Sequence, residues 1–381
     1  MNDNINLDDT QKIIDSNTSK RITSLRFLLI ILVVFIHNCY TTDLIQKIIS
    51  QGNVPPVFVE NAFGYWIKLL ITGGIARAAV PLFFMFSAYL QSKKNYSYKQ
   101  LLCKRAKTLL IPFIIWMALY TLYFAGIKLI LLKIAPQFIN NPDSTALNWT
   151  LTDWIHKILG YKNNGNAGFD PPEFAAQFWF IRDLIILIII SPIITKIIKQ
   201  FPFIAFCLII LIYLIPVRIF FVENQAMFFY MLGIFWGIYD FDLFSWCDKI
   251  KWLEIIPLFI FTFIWTYTIN KEQKSTAYWS MVIFACIILI KISFLLINKE
   301  KVYNLCTYLA GYSFFLFAIH EPVLNNIISK VWIRFFPMKN TFYCLCQYFI
   351  PSILTILIGT MIGIILRKLF PKLYMVLTGN R

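Results

Sequence analysis

Arg26 and His37 bracket a run of ten apolar residues, FLLIILVVFI. At about 100° per residue, eleven positions make three helical turns plus roughly 20°, so the two side chains share one helix face about 16 Å apart along the axis. Ionisable groups inside a membrane span are costly and usually face the bundle interior or a wet cavity. Histidine exchanges a proton near neutral pH, and arginine binds anions through several donors. Together on one face, the pair predicts a polar track through a helix bundle. Each also has a plainer reading. Arg26 can snorkel to lipid phosphates, and His37 can be a hydrogen-bonded interfacial histidine.

Three more groups could do chemistry. Arg182 and Asp183 follow Trp179 in FWFIRDL, either as an ion pair that seats a helix or as charges of a site. His320 and Glu321 precede Pro322 in AIHEPVL, where proline breaks or kinks the helix and neighbours must re-satisfy the freed backbone groups. Lys104, Arg105 and Lys107 either touch anionic lipid or capture an anionic ligand. No Gly-rich phosphate loop is present, so phosphate recognition would fall to these side chains. The eight cysteines lie mostly in apolar runs with no metal-ligand spacing, which predicts no metal site.

The elements that must position these residues follow from composition. The chain is 59% hydrophobic and 18% aromatic with only 14% charged residues, yet its net charge is +16. Apolar runs recur along its length, so the expected fold is all-α, a polytopic integral membrane protein rather than a soluble domain with an anchor. About 20 apolar residues cross the hydrocarbon, and about ten stretches qualify: 25–42, 66–91, 107–133, 181–199, 202–221, 226–240, 253–270, 277–298, 306–328 and 342–367. Gly73 and Gly74 interrupt the second. Lysine and arginine concentrate on one side when both termini are cytoplasmic. The expected organisation is a cytoplasmic segment 1–24, a membrane domain 25–370 and a cytoplasmic tail 371–381. The long connection 134–178 falls outside, rich in Asn, Gly, Pro and Asp like a folded or mobile loop. His37, Arg182, Asp183, His320 and Glu321 then lie at similar depth in the outward half, with Arg26 and the basic cluster at the inner boundary. The first apolar run lacks a cleavage pattern and reads as a retained span. The basic excess fits cytoplasmic loops, and no basic, aromatic soluble face calls for nucleic acid.

Arg, ten residues and His in a first span resemble the signature of the membrane acyltransferase-3 family, which O-acylates cell-surface carbohydrates. VPLFFMFSAYL (80–90), with Arg77 before it, is similar to the family's second-helix motif, Ala88 standing where glycine is usual. KRAKTLLIPFIIW (104–116) resembles the basic start of its third helix, with Thr108 in place of a second arginine. FWFIRDLIILIIISPII (178–194) is similar to the W-F-x-R-D-L segment of the exopolysaccharide-modifying branch, and FFLFAIHEPVL (314–324) to its late H-x-P helix. Five matches occur in the same order over residues 20–370.

The resemblance implies a multi-pass protein of the cell (plasma or inner) membrane. It would move an acyl group, in the first place acetyl, from cytosolic acyl-CoA to a hydroxyl of a polysaccharide or lipid-linked sugar. Acetyl-CoA is a donor substrate in that reading, and no permanently bound cofactor is expected. His37 is the expected base or acyl carrier. Asp183 and Glu321 are rival partners for its imidazole, and His320 assists. Arg26, Lys104, Arg105 and Lys107 would hold the donor, while Arg77, Trp179 and Arg182 would position donor, acceptor or oxyanion. Tyr40 and Trp179 could stack on a sugar. Membrane lipid is the remaining partner, and the sequence leaves oligomeric state open. A transporter of a glycan or anionic solute, using the same charges as its path, is the competing class.

Overall fold

The computed structural model describes residues 15–38, 63–134, 148–162, 168–169, 172–214, 222–270, 275–337 and 341–380. Tyr40 and the end of the first predicted span lie outside them. The first helix, α1 (Ser16–His37), starts where the Asp15 carboxylate accepts the Thr18 amide at 3.0 Å, an N-cap that satisfies an orphan donor. It thus begins nine residues before the first predicted span (25–42), inside the segment expected to be a separate cytoplasmic stretch. Arg21 explains how. Its side chain is only 1% exposed, but its guanidinium forks onto Asp248 at 2.6 and 2.8 Å. It also donates to Ser293 Oγ at 2.8 Å and to the Ile290 carbonyl at 2.9 Å. A charge so fully paired can be buried.

The second apolar stretch is α2 (Phe63–Leu69), a π-turn Leu70–Gly74, a 3-10 turn Ile75–Ala78 and α3 (Ala79–Ser92). The third is α4 (Tyr98–Arg105), a π-turn Ala106–Leu110 and α5 (Ile111–Ile134). The long connection carries α6 (Leu151–Leu159) and a two-residue antiparallel ladder, β1 (Tyr161–Lys162) with β2 (Gly168–Phe169). Then follow α7 (Trp179–Gln200), α8 (Pro202–Leu214), α9 (Asn224–Tyr239), α10 (Leu243–Lys249) and α11 (Trp252–Ile264) with a π-turn. The last part holds α12 (Thr276–Ile297), α13 (Glu300–Ala310), α14 (Ser313–Ile319), a broken turn His320–Leu324, α15 (Asn325–Phe335), α16 (Thr341–Leu369) and α17 (Pro371–Thr378).

Among the described residues the regular structure apart from that ladder is helical, and each of the ten apolar stretches falls at least partly on helix. Five stretches among the described residues are long and apolar enough to cross a membrane: Trp66–Ser92, Tyr98–Ile134, Trp252–Ile269, Thr276–Ile297 and Phe342–Leu369. Two bent pairs, α9 with α10 and α13 with α14–α15, bring the number to seven. The helices that fall short are informative. Lys20, Arg21 and Arg26 load α1 with charge, as Arg182, Asp183, Lys196 and Lys199 load α7. The 371–381 tail is likewise not a free end. Tyr374 and Leu377 of α17 are buried, Trp116 Nε1 donates to the Leu377 carbonyl at 3.0 Å, and Tyr374 OH donates to the Gly311 carbonyl at 2.9 Å.

Helix α1 is the hub, packed against α3, the 70–78 turns, α12, α13, α14 and α16. Its start, the end of α3 and the α9–α10 turn form one end of the bundle, here termed basal. There Lys93 pairs with Asp240, and Asp15 and Asp242 both act electrostatically on Tyr89. Lys291, buried in α12, donates to the carbonyls of Cys247 and Asp248 at 3.2 and 3.0 Å, a cation at the C-terminus of α10. The most extensive helix packing among the described residues is that of α3 on α9. A Cβ added at Gly233 would lie 2.9 Å from Ala88 Cβ and 3.0 Å from the Met85 carbonyl carbon. Where the family motif usually has glycine and this chain has Ala88, the close approach is supplied from α9 by Gly233.

Candidate active site

The distal end of α1 meets the broken turn after α14. His37 is half-buried and His320 fully buried, with ring centroids 5.1 Å apart, edge to face. The break places His320. Glu321 has extended backbone, φ −130° and ψ 148°, and Pro322 has no N–H to offer the Ala318 carbonyl. That carbonyl is served instead by Tyr120 OH at 2.7 Å and Gln177 Nε2 at 3.3 Å. Gln177 also donates to the Glu321 carbonyl, and Asn326 to that of Pro322. The Phe317 carbonyl lies 2.7 Å from His320 Nδ1. A carbonyl only accepts, so Nδ1 carries the proton and in the neutral ring Nε2 keeps its lone pair. His320 Nε2 is buried without a hydrogen-bond partner: a base held in one tautomer with its reactive nitrogen free.

Around the two rings, Asn325 Nδ2 donates to the His37 carbonyl at 3.1 Å, and the Asn325 side chain acts electrostatically on the Glu321 carboxylate. Asn325 Oδ1 accepts from Thr355 at 3.3 Å. Glu321 Oε2 is buried and unpartnered. Arg77, on the 3-10 turn before α3, acts electrostatically on His37, and its Nε is buried without a partner. Asn38 anchors the end of α1, donating to the Tyr348 carbonyl at 2.6 Å and to Ser352 Oγ at 2.8 Å.

Asp183 stands apart from this group. Its Oδ1 accepts from Arg182 Nε at 3.0 Å and from an Arg182 terminal nitrogen at 2.9 Å, and its Oδ2 accepts the Glu223 amide at 3.1 Å. Arg182 also donates to the Leu159 carbonyl at 2.7 Å, fastening α6 to α7. Both side chains are buried and engaged with each other. Among the described residues no hydrogen bond joins Asp183 to His37. Trp179 packs near Phe84 at 6.3 Å, while its neighbours Phe178 and Phe180 reach Phe317 at 5.5 and 5.9 Å. The start of α7 therefore lies at the level of the two histidines, as expected from depth.

The polar track along α1 does not hold as a continuous feature. Ile30 and Val33, between Arg26 and His37 on the shared face, are 4% and 3% exposed. Arg26 is exposed, and among the described residues it makes no hydrogen bond or ion pair. No bond ties it to the basic cluster either. Lys104 donates to Tyr96 OH at 2.7 Å, Arg105 interacts electrostatically with Tyr230 and Tyr96, and Lys107 is exposed.

A histidine pair with a fixed free base, a cation and a spare carboxylate at one end of a helix bundle suits transfer chemistry at an oxygen or sulfur centre. Comparison with known proteins agrees. An acyltransferase family model, the acyltransferase-3 domain, matches residues 19–367. The chain belongs to this family. It is 23% identical to the succinoglycan biosynthesis protein ExoH of Rhizobium meliloti (strain 1021) over 376 residues, covering 96% of this chain and 94% of that protein. No solved structure matches.

Within this acyltransferase fold, four supporting residues were not legible as such. Gln177 sits one residue before the segment whose motif stood out. Asn325 lies four residues after Glu321, a spacing that in an unbroken helix puts an amide and a carboxylate on one face, which was the available signal. Asn38 adjoins His37 directly. Tyr120 is one of nineteen tyrosines with nothing local to distinguish it.

Proposed function

We propose that this protein is an integral-membrane O-acyltransferase that moves an acyl group, in the first place acetyl, from cytosolic acyl-CoA to a hydroxyl of a cell-surface polysaccharide or lipid-linked sugar. Membership in an acyltransferase family supports the reaction class over solute transport. The similarity to a succinoglycan biosynthesis protein supports a polysaccharide acceptor. The observation that carries the reading is the His37–His320 pair, with Nε2 of His320 free and its tautomer set by Phe317.

In this reading one imidazole takes the proton of the acceptor hydroxyl as its oxygen attacks the thioester carbonyl. The tetrahedral oxyanion is met by the Arg77 guanidinium. Collapse breaks the carbon–sulfur bond, and the proton passes to the departing thiolate. Glu321 and Asn325 are positioning residues for the pair. Arg26 faces the donor from the basal side, about 16 Å below His37 along α1. A multi-pass arrangement in the plasma membrane with both termini cytoplasmic would put the donor side at the basal end and the acceptor side at the distal end.

Acyl content of the surface glycan, measured in cells lacking the gene and complemented with wild type or His37→Ala, tests this. Wild type restores acylation and His37→Ala does not. Equal acylation in the two complemented strains rejects the assignment of His37. An unchanged glycan on gene deletion rejects the function.

A further inference from the structure

A cavity of about 520 Å³ with a hydrogen-bonded polar floor opens at the basal end between α7, α9 and the end of α3 with its following turn. It lies far from the histidine pair, at the opposite end of α1. Its floor is built. Gln91 Nε2 donates to Ser191 Oγ at 2.8 Å, and Tyr230 OH donates to Gln91 Oε1 at 3.1 Å. Pro192, inside α7, leaves the Ile188 carbonyl without its helical donor. Ser191 Oγ takes that carbonyl at 2.7 Å, and Tyr98 OH takes the next one, Ile189, at 2.9 Å.

Lys94, Lys196 and Lys199 line this cavity, and no carboxylate does. All three are exposed, and none is in an ion pair among the described residues. Lys196 and Lys199 are three apart on one helix, where like charges repel. Three unneutralised ammonium groups around one cavity call for an anion. Its kind is indicated by the stripe that continues along α7. Ile189, Ile193 and Lys196, at i, i+4 and i+7, share one face, with Ile189 50% and Ile193 64% exposed. An exposed apolar strip thus runs directly into the cationic cavity, the order of tail and headgroup in an anionic lipid.

We propose that this cavity binds a phosphate ester through Lys94, Lys196 and Lys199, with the α7 stripe favouring a phospholipid headgroup as its source over a soluble nucleotide phosphate. The proposal rests on the membrane reading of the fold and is independent of the acyl-transfer reading, because its test reads binding alone.

The full chain, purified and delipidated in detergent, is titrated with phosphatidylglycerol, phosphatidylcholine and, separately, adenosine 3′,5′-bisphosphate, with bound ligand counted by native mass spectrometry. Phosphatidylglycerol is expected to bind wild type about tenfold or more tighter than phosphatidylcholine, the scale of several lysines each favouring an anionic headgroup. The Lys94→Gln/Lys196→Gln/Lys199→Gln variant should lose that preference. The corresponding triple arginine variant should keep it, as should the charge-matched control Lys299→Gln/Lys301→Gln/Lys368→Gln. Lysine-dependent binding of the bisphosphate without a lipid preference supports the phosphate site and assigns its source to a soluble ligand. Equal binding of every probe by wild type and the triple glutamine variant overturns the proposal.

Discussion

His320 Nδ1 lies 2.7 Å from the carbonyl oxygen of Phe317, three residues earlier in the same helix. The broken turn at Glu321 and Pro322 lets a side chain take a carbonyl beside the break, and the bond leaves Nε2 of His320 unpartnered beside the His37 ring. Backbone geometry, tautomer and a buried free base are thus one device.

This device separates structure from chemistry. In His320→Asn the amide nitrogen can occupy the Nδ1 position and keep the Phe317 bond, while Nε2 is gone. Expression and melting temperature should stay near wild type as acyl transfer falls about 10²- to 10⁴-fold, the usual contribution of a general acid–base group. The measurements are single-turnover acyl transfer in proteoliposomes and a thermal melt. A full-rate His320→Asn would remove His320 from the chemistry.

The two arginines proposed to position reactants diverge in the structure, and substitution should separate them. Arg77 has a free buried Nε near His37, so Arg77→Gln should fold and lose roughly 10²- to 10³-fold in turnover, as when an oxyanion donor is removed. Arg182 is committed to Asp183. Asp183→Asn strands a buried guanidinium, which costs about 3–5 kcal/mol and should appear as lost folded protein. Glu321→Gln should leave the melt unchanged and lower turnover instead.

Much of this was legible in the sequence. Apolar runs located the helices, and Pro322 located the break that sets His320. What stayed hidden was pairing across the fold. Adjacency already offered Arg182–Asp183 as an ion pair, but the Glu223 amide that completes the engagement of Asp183 comes from 40 residues away, and Asp183 and Glu321 otherwise look alike as carboxylates near a span end. Arg21 reads as one more basic residue before the first span, because its partner Asp248 is 227 residues away.

Close packing of α3 on α9 gives a stability prediction far from the chemistry. A side chain at Gly233 meets Ala88 and the Met85 backbone, and backbone cannot yield as a flexible side chain can. Gly233→Leu should destabilise the bundle by about 1–3 kcal/mol or more, read as a lower melting temperature. Ala88→Gly should cost little. An unchanged melt for Gly233→Leu would mean the two helices stand further apart.

Arg21 and Arg26, five residues apart on α1, should fail in opposite ways. Arg21 is buried against Asp248, Ser293 and the Phe244 ring, 4.5 Å from its guanidinium carbon. Arg21→Met leaves the partly exposed Asp248 without its partner and should cost about 1–3 kcal/mol, whereas Arg21→Met/Asp248→Leu should recover most of that loss, since an apolar pair can replace an ion pair of this kind. Arg26 is exposed and bonds to nothing described, so Arg26→Gln should melt like wild type. If Arg26 holds the donor, its loss raises KM for acyl-CoA about tenfold or more, the scale of a hydrogen bond to a charged group, with turnover at saturation preserved. A melt lowered by Arg26→Gln but not by Arg21→Met would reverse these two roles.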